Sequence, residues 1–250
     1  MISVRRLALA LTTAVLAALP APAAADGVML IQAGAFWMGR DGGPPEEAPL
    51  HRVYVRDFWI DRHKVTNAEF AAFLNATGLR SPGSSRRYDE DDDDARIHLQ
   101  DGRWVPDPGF EDHPVVEVSW FGARDYCAWW PYAWGAMPPT PELAVFGRPY
   151  NATDRGDRRP AGRSPSGVED LLGNLREWTS TILRPYPYNS GDGREGFGGD
   201  GSVVVRGASH DDPAESLSLT RRRSYDRRGA SAGHHFVGFR CATSEDLGGR

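Results

Sequence analysis

The stretch Gly167-Val-Glu-Asp-Leu-Leu-Gly-Asn-Leu-Arg-Glu-Trp-Thr179 decides how this chain is read. The Asn174 side chain, the Leu175 carbonyl and the Glu177 carboxylate stand close together in it. Such oxygens suit a hard cation such as calcium, which takes roughly six to eight oxygen ligands. An asparagine that follows glycine in a turn also often bonds only its own backbone, without any ion. The residues alone leave both readings open.

Working outward, Val204-Val-Arg-Gly-Ala-Ser209 and Gly238-Phe-Arg-Cys-Ala242 follow the first stretch. Together the three resemble the C-terminal signature of the formylglycine-generating enzyme, or sulfatase-modifying factor, family, whose usual forms are G-x-x-D-M-x-G-N-V-W-E-W, V-x-R-G-G-S-W and G-F-R-C. Upstream, Val65-Thr-Asn67 with Phe70 and Phe73 matches the family's E-V-T-N-x-x-Y-x-x-F, with Lys64 in place of the glutamate. His113-Pro-Val-Val-Glu-Val-Ser119, continued by Tyr126 and Cys127, matches H-P-V-V-x-V-S-W-x-x-A-x-x-Y-C-x-W. The resemblance implies an α+β, C-type-lectin-like single domain with little regular secondary structure over residues 26–250. It also implies calcium, as a structural ion, on Asn174, Leu175 and Glu177.

Residues 1–25 carry Arg5 and Arg6, then an apolar run from Leu7 to Leu19, then Ala23-Ala-Ala25. This is the layout of a secretory signal, with an apolar core too short to span a bilayer comfortably. The expectation is an exported protein, periplasmic or secreted, with no membrane span after cleavage. The two cysteines, Cys127 and Cys241, then belong in an oxidising compartment where they pair. The resemblance implies the same bond. A formal charge of −5 gives no footprint for nucleic acid. Lys64 is the only lysine.

Along the chain, His51 to Asp61 reads as strand. Thr66 with Glu69 three residues on makes a capping box, which predicts a helix ending between Asn75 and Gly78. From Leu79 to Glu111 periodicity is lost, and the acidic run Asp89 to Asp94 lacks the alternating spacing of a calcium loop. It reads as a solvated surface insertion. His113 to Ser119 reads as a buried strand ending on Ser119, the cap of a second helix that carries Cys127 on its core face. A short helix is expected from Thr140 to Gly147, and irregular chain from Arg148 to Ser166.

In the resembled family, oxidation depends on two copper-binding cysteines before G-F-R-C. Soft thiolates hold Cu(I). Here those places read Glu215 and Thr220, and no cysteine exists beyond Cys127 and Cys241. Neither copper nor formylglycine formation is therefore expected. The cleft candidates are His210, Glu215, Thr220 and Arg223. With Asp211, Asp212, Tyr225, Asp226, His234 and His235 they offer material for a rebuilt iron or copper site, although neighbouring histidines on extended chain point opposite ways. Arg221, Arg222 and Arg223 suit an anionic group held by bidentate contacts, or an internal network with the aspartates. The leading expectation is a binding, accessory or maturation module for an exported protein partner or a small anionic ligand. The rival is an exported oxidase or tailoring enzyme on a peptide or phenolic substrate, and the third reading is retained formylglycine-generating activity.

Overall fold

Short apolar stretches near the N-terminus pair with chain from the far C-terminus. Strand β1 (Val28–Ile31) runs antiparallel to β4 (Phe58–Asp61), whose other edge takes β11 (Ala242–Thr243). Between them β2 (Gly34–Met38) and β3 (His51–Val55) form a separate ladder. The structure, a computed structural model, describes residues 27–81, 85–129, 147–149, 152–195, 201–226 and 233–244, and of Glu215 the backbone only. The expected secretory segment and the start of the expected helix at Thr140 lie outside those residues.

Helix α1 (Asn67–Thr77) begins where the capping box places it: Thr66 N donates to Glu69 Oε2 at 2.8 Å and Glu69 N to Thr66 Oγ1 at 3.3 Å. It ends at Gly78, with φ 81°. Helix α2 (Trp120–Trp129) follows Ser119, whose Oγ accepts from Gly122 N at 3.0 Å. Gly122 has to be glycine, because a Cβ there would lie 2.1 Å from the Arg87 carbonyl oxygen. Strands β7 (Arg176–Ile182), β8 (Ser202–Arg206), β9 (Arg223–Asp226) and β10 (Val237–Gly238) form a sheet in the order β10-β7-β8-β9, with β10 parallel to β7.

The core is the contact of these parts. Phe70, Phe73 and Leu74 from α1 meet Tyr126 from α2, with Trp178, Val203 and Val205 from the sheet and Phe239 beyond β10. Buried indoles need partners, and both have them: Trp178 Nε1 donates to the Val118 carbonyl at 3.0 Å and Trp120 Nε1 to that of Thr179 at 2.9 Å. The expected disulfide is present, Cys127 to Cys241, and it ties α2 to the segment between β10 and β11 across 114 residues of chain. Reducing it should cost about 2–4 kcal/mol by restoring freedom to the unfolded chain. Urea midpoints with and without reductant will measure that loss.

Two expectations are corrected. The region from Leu79 to Glu111 holds a hairpin, β5 (Ile97–Gln100) and β6 (Arg103–Pro106), turning on Asp101 and Gly102. Both turn residues have positive φ, 48° and 79°, the geometry that an Asp-Gly pair favours in a two-residue hairpin. The segment from His113 to Ser119 is buried for most of its length but is no regular strand. It makes isolated bridges, Pro114 with Thr66 and Val118 with Tyr88. Glu117, at φ 54°, takes the backbone out of the extended conformation. Among the described residues no helix is long and apolar enough to cross a membrane.

Candidate functional site

Neighbouring residues of a strand point to opposite faces of its sheet, so Arg176 and Glu177 on β7 serve two different networks. On one side Glu177 accepts from Arg240 Nε at 2.5 Å and Nη2 at 2.6 Å, and lies 3.3 Å from Lys64 Nζ. The same ammonium reaches Asp170 Oδ2 at 3.3 Å, the Gly173 carbonyl at 3.5 Å and the Asp170 carbonyl. Burial works to raise the Glu177 carboxyl, but Arg240 and then Lys64 hold it below its usual range.

These residues do not fit the calcium ion that the resemblance implies. Asn174 Oδ1 accepts from Asp154 N at 3.0 Å, and its Nδ2 donates to the Asp154 carbonyl at 2.7 Å and to Asp170 Oδ2 at 2.9 Å. The asparagine thus bonds the backbone of a distant segment and a neighbouring carboxylate, where the simpler reading of the sequence has it bond its own turn. Around it the carboxylates of Asp170 and Glu177 face the cations of Lys64 and Arg240, so the oxygen-rich cradle carries its own positive charge.

On the other side of β7, Arg176 donates to Asp212 Oδ2 through Nε at 3.2 Å and Nη2 at 2.8 Å. Arg223 reaches both oxygens of Asp212, at 3.0 and 2.9 Å, and Ser209 N donates to Oδ2 at 3.0 Å. Burial opposes the ionised form, yet these hydrogen bonds and the two arginines hold the Asp212 carboxyl well below the carboxylate range. His210 is fully buried, with N 2.7 Å and Nδ1 3.0 Å from the Asn174 carbonyl. Burial pushes the imidazole below its usual range, and its Nε2 has no hydrogen-bond partner among the described residues.

The other candidates do not converge on this point. Thr220 Oγ1 donates to Glu47 Oε2 at 2.6 Å. Arg222 donates to the Glu46 carbonyl at 2.6 Å and the Arg184 carbonyl at 2.8 Å, with its guanidinium 4.0 Å from the Tyr186 ring centroid. Among the described residues the Arg221 side chain makes one hydrogen bond, from Nη1 to the Ser216 carbonyl at 3.2 Å. The adjacent histidines diverge: His234 stacks on Phe236 beside Tyr225, while His235 Nδ1 lies 3.6 Å from Asp94 Oδ2.

A concave space of about 360 Å³ opens elsewhere, beside the start of α1, lined by Asp61, His63, Glu69, Tyr126, Arg155 and Asp157 among others. Burial pushes the Asp61 carboxyl well above its usual range, against a hydrogen bond from Cys241 N and the charge of Arg240. Nothing in the sequence pattern marks this cleft, because its walls come from distant segments. The one local signal is the polar Asp61-Arg-His63 closing an apolar strand.

The chain is similar to known proteins along most of its length. The sulfatase-modifying factor enzyme 1-like domain matches residues 15–140 and 132–245. The formylglycine-generating enzyme of Streptomyces coelicolor is 30% identical, over 92% of this chain and 95% of that protein. A serine/threonine-protein kinase of Chlamydia caviae is 28% identical over 86% of this chain, which spans only 37% of that longer protein. The structure of PvdO from Pseudomonas aeruginosa shares the fold, with a TM-score of 0.63 at 23% identity, covering 86% of this chain and 93% of that one. With a domain match from near one end to the other, the chain belongs to the sulfatase-modifying factor, or formylglycine-generating enzyme, family.

Proposed function

We propose that this protein is an exported binding or accessory module of the formylglycine-generating enzyme family that does not itself form formylglycine. The observation that carries the reading is the fate of its thiols. The sequence has two cysteines, and both are consumed in the bond between Cys127 and Cys241. No thiolate pair remains to hold Cu(I), the soft-ligand chemistry by which the family's oxidation works. One of the two places expected for such thiols is Thr220, whose hydroxyl is bound to Glu47.

The rebuilt oxidase site fares less well as a reading. Arginines hold Asp212, and His210 and His234 are packed away from solvent or against aromatic rings. For a partner's carboxylate or phosphate, Arg221 is the candidate contact, since among the described residues its side chain makes one hydrogen bond and keeps other donors to offer. The layout of residues 1–25 supports export to a compartment where such a partner is met.

The decisive experiment incubates the purified protein with a cysteine-containing sulfatase peptide, copper and oxygen, and follows peptide mass. The expected result is an unchanged cysteine, with the Streptomyces coelicolor enzyme as positive control. An aldehyde product would overturn the reading.

A further inference from the structure

We propose that Asp94, Glu117 and His235 form a binding site for a divalent first-row metal ion of the manganese, iron(II) or zinc class. The three residues lie far apart in sequence, and the fold brings them together. Asp94 closes the acidic run, Glu117 precedes α2, and His235 sits in the turn before β10. Their potential ligand atoms all lie within 4.8 Å of one another, and His235 Nδ1 is 3.6 Å from Asp94 Oδ2. A metal bonded at about 2.0–2.2 Å to each donor needs only a small closure of that triangle. Two carboxylates with one imidazole are a mixed oxygen and nitrogen set, which favours these ions over calcium or Cu(I).

A second observation is the state of Glu117. The residue is 2% exposed, yet among the described residues its carboxylate meets no hydrogen-bond donor, and the charges that bear on it are the acidic ones of Asp92, Asp89 and Asp94. A buried carboxylate without a partner is costly and calls for a proton or a cation. The other acidic group contrasts with it. Asp89, Glu90 and Asp91 are gripped by Arg86 Nη1 at 2.9, 3.7 and 3.0 Å, so that trio already has its cation.

The backbone holds the arrangement in place. A Cβ on Gly233 would fall 1.9 Å from the carbonyl carbon of Glu117, so only glycine lets the histidine-bearing turn lie directly on that residue. Glu117 N donates to the His234 carbonyl at 3.4 Å, which fastens the two segments. The site stands apart from the accessory-module reading, since neither the Arg221 surface nor the missing thiols enter it.

The test titrates metal-stripped full-length protein with Mn(II), followed by loss of the free-ion electron paramagnetic resonance signal, and with Zn(II) by calorimetry. Stoichiometric binding is expected. Glu117→Gln and His235→Asn should each weaken it at least about tenfold, the loss that even an outer partner of a metal site can cause. Asp91→Asn, in the arginine-held trio, should leave it unchanged. Absence of saturable binding, or equal affinity in the two ligand variants, would overturn the proposal. Circular dichroism reports whether each variant folds, and if Glu117→Gln does not, the partly exposed His235→Asn decides alone.

Discussion

Replacement of Asp212 by asparagine should destabilise the protein by about 3–5 kcal/mol, the usual cost of removing one partner from a buried ion network. The amide has nearly the shape of the carboxylate, so packing is preserved and the charge is what is lost. Arg176, which lies 4.5 Å over the Phe236 ring, and Arg223 would then face each other across a neutral group. Ser209 N would keep an oxygen to bond, so the deficit falls on the guanidinium groups. The pH dependence has a fixed sign. Because the folded protein holds the Asp212 carboxyl below its unfolded value, its contribution is present at neutral pH and drains away on acidification below about pH 4. Urea midpoints of both proteins at pH 7 and pH 3 should therefore converge as pH falls. A variant within about 1 kcal/mol of the original at pH 7, the range of an exposed pair, would mean that the arginines find other partners.

What the sequence displayed was mostly what neighbouring residues settle among themselves. Thr66 and Glu69 are three apart, and their capping box starts α1 where local pairing says it must. Cys127 and Cys241 were legible because two cysteines behind an expected export signal leave few alternatives. The hairpin at Asp101-Gly102 was also a local signal, but the acidic run beside it drew the reading toward a solvated loop. That reading failed most plainly at Asp94, which is 4% exposed. Glu117 looked like one position in a buried strand, and its importance depends on chain 23 residues before it and 118 after it, at Asp94 and His235. The arginine cluster splits for a similar reason. Strand β9 begins at Arg223 and delivers it to Asp212, while Arg222 just before it turns to the Glu46 loop. Composition fixes neither choice.

Lys64 should be as consequential as Asp212, and its variant tests what holds the oxygen cradle. Lys64→Met keeps the length of the side chain and removes its charge, leaving Asp170 and Glu177 with Arg240 as the remaining cation of the set. The expected loss is again about 3–5 kcal/mol, because an unbalanced carboxylate stays buried. Lys64→Arg should not rescue it, since a planar guanidinium cannot reproduce the compact contacts of an ammonium with Asp170, Gly173 and Glu177. Calcium separates this account from a metal-supported cradle. In the Glu117→Gln background, which takes the proposed Asp94, Glu117 and His235 site out of the readout, the thermal midpoint should ignore both calcium and its chelation by EGTA. Adding Lys64→Met should make calcium stabilising, because the cradle then has spare negative charge and oxygens at hand. If calcium already stabilises the protein with Lys64 in place, the ammonium must yield the cradle to the ion, and the charge balance drawn from Lys64 and Arg240 is wrong.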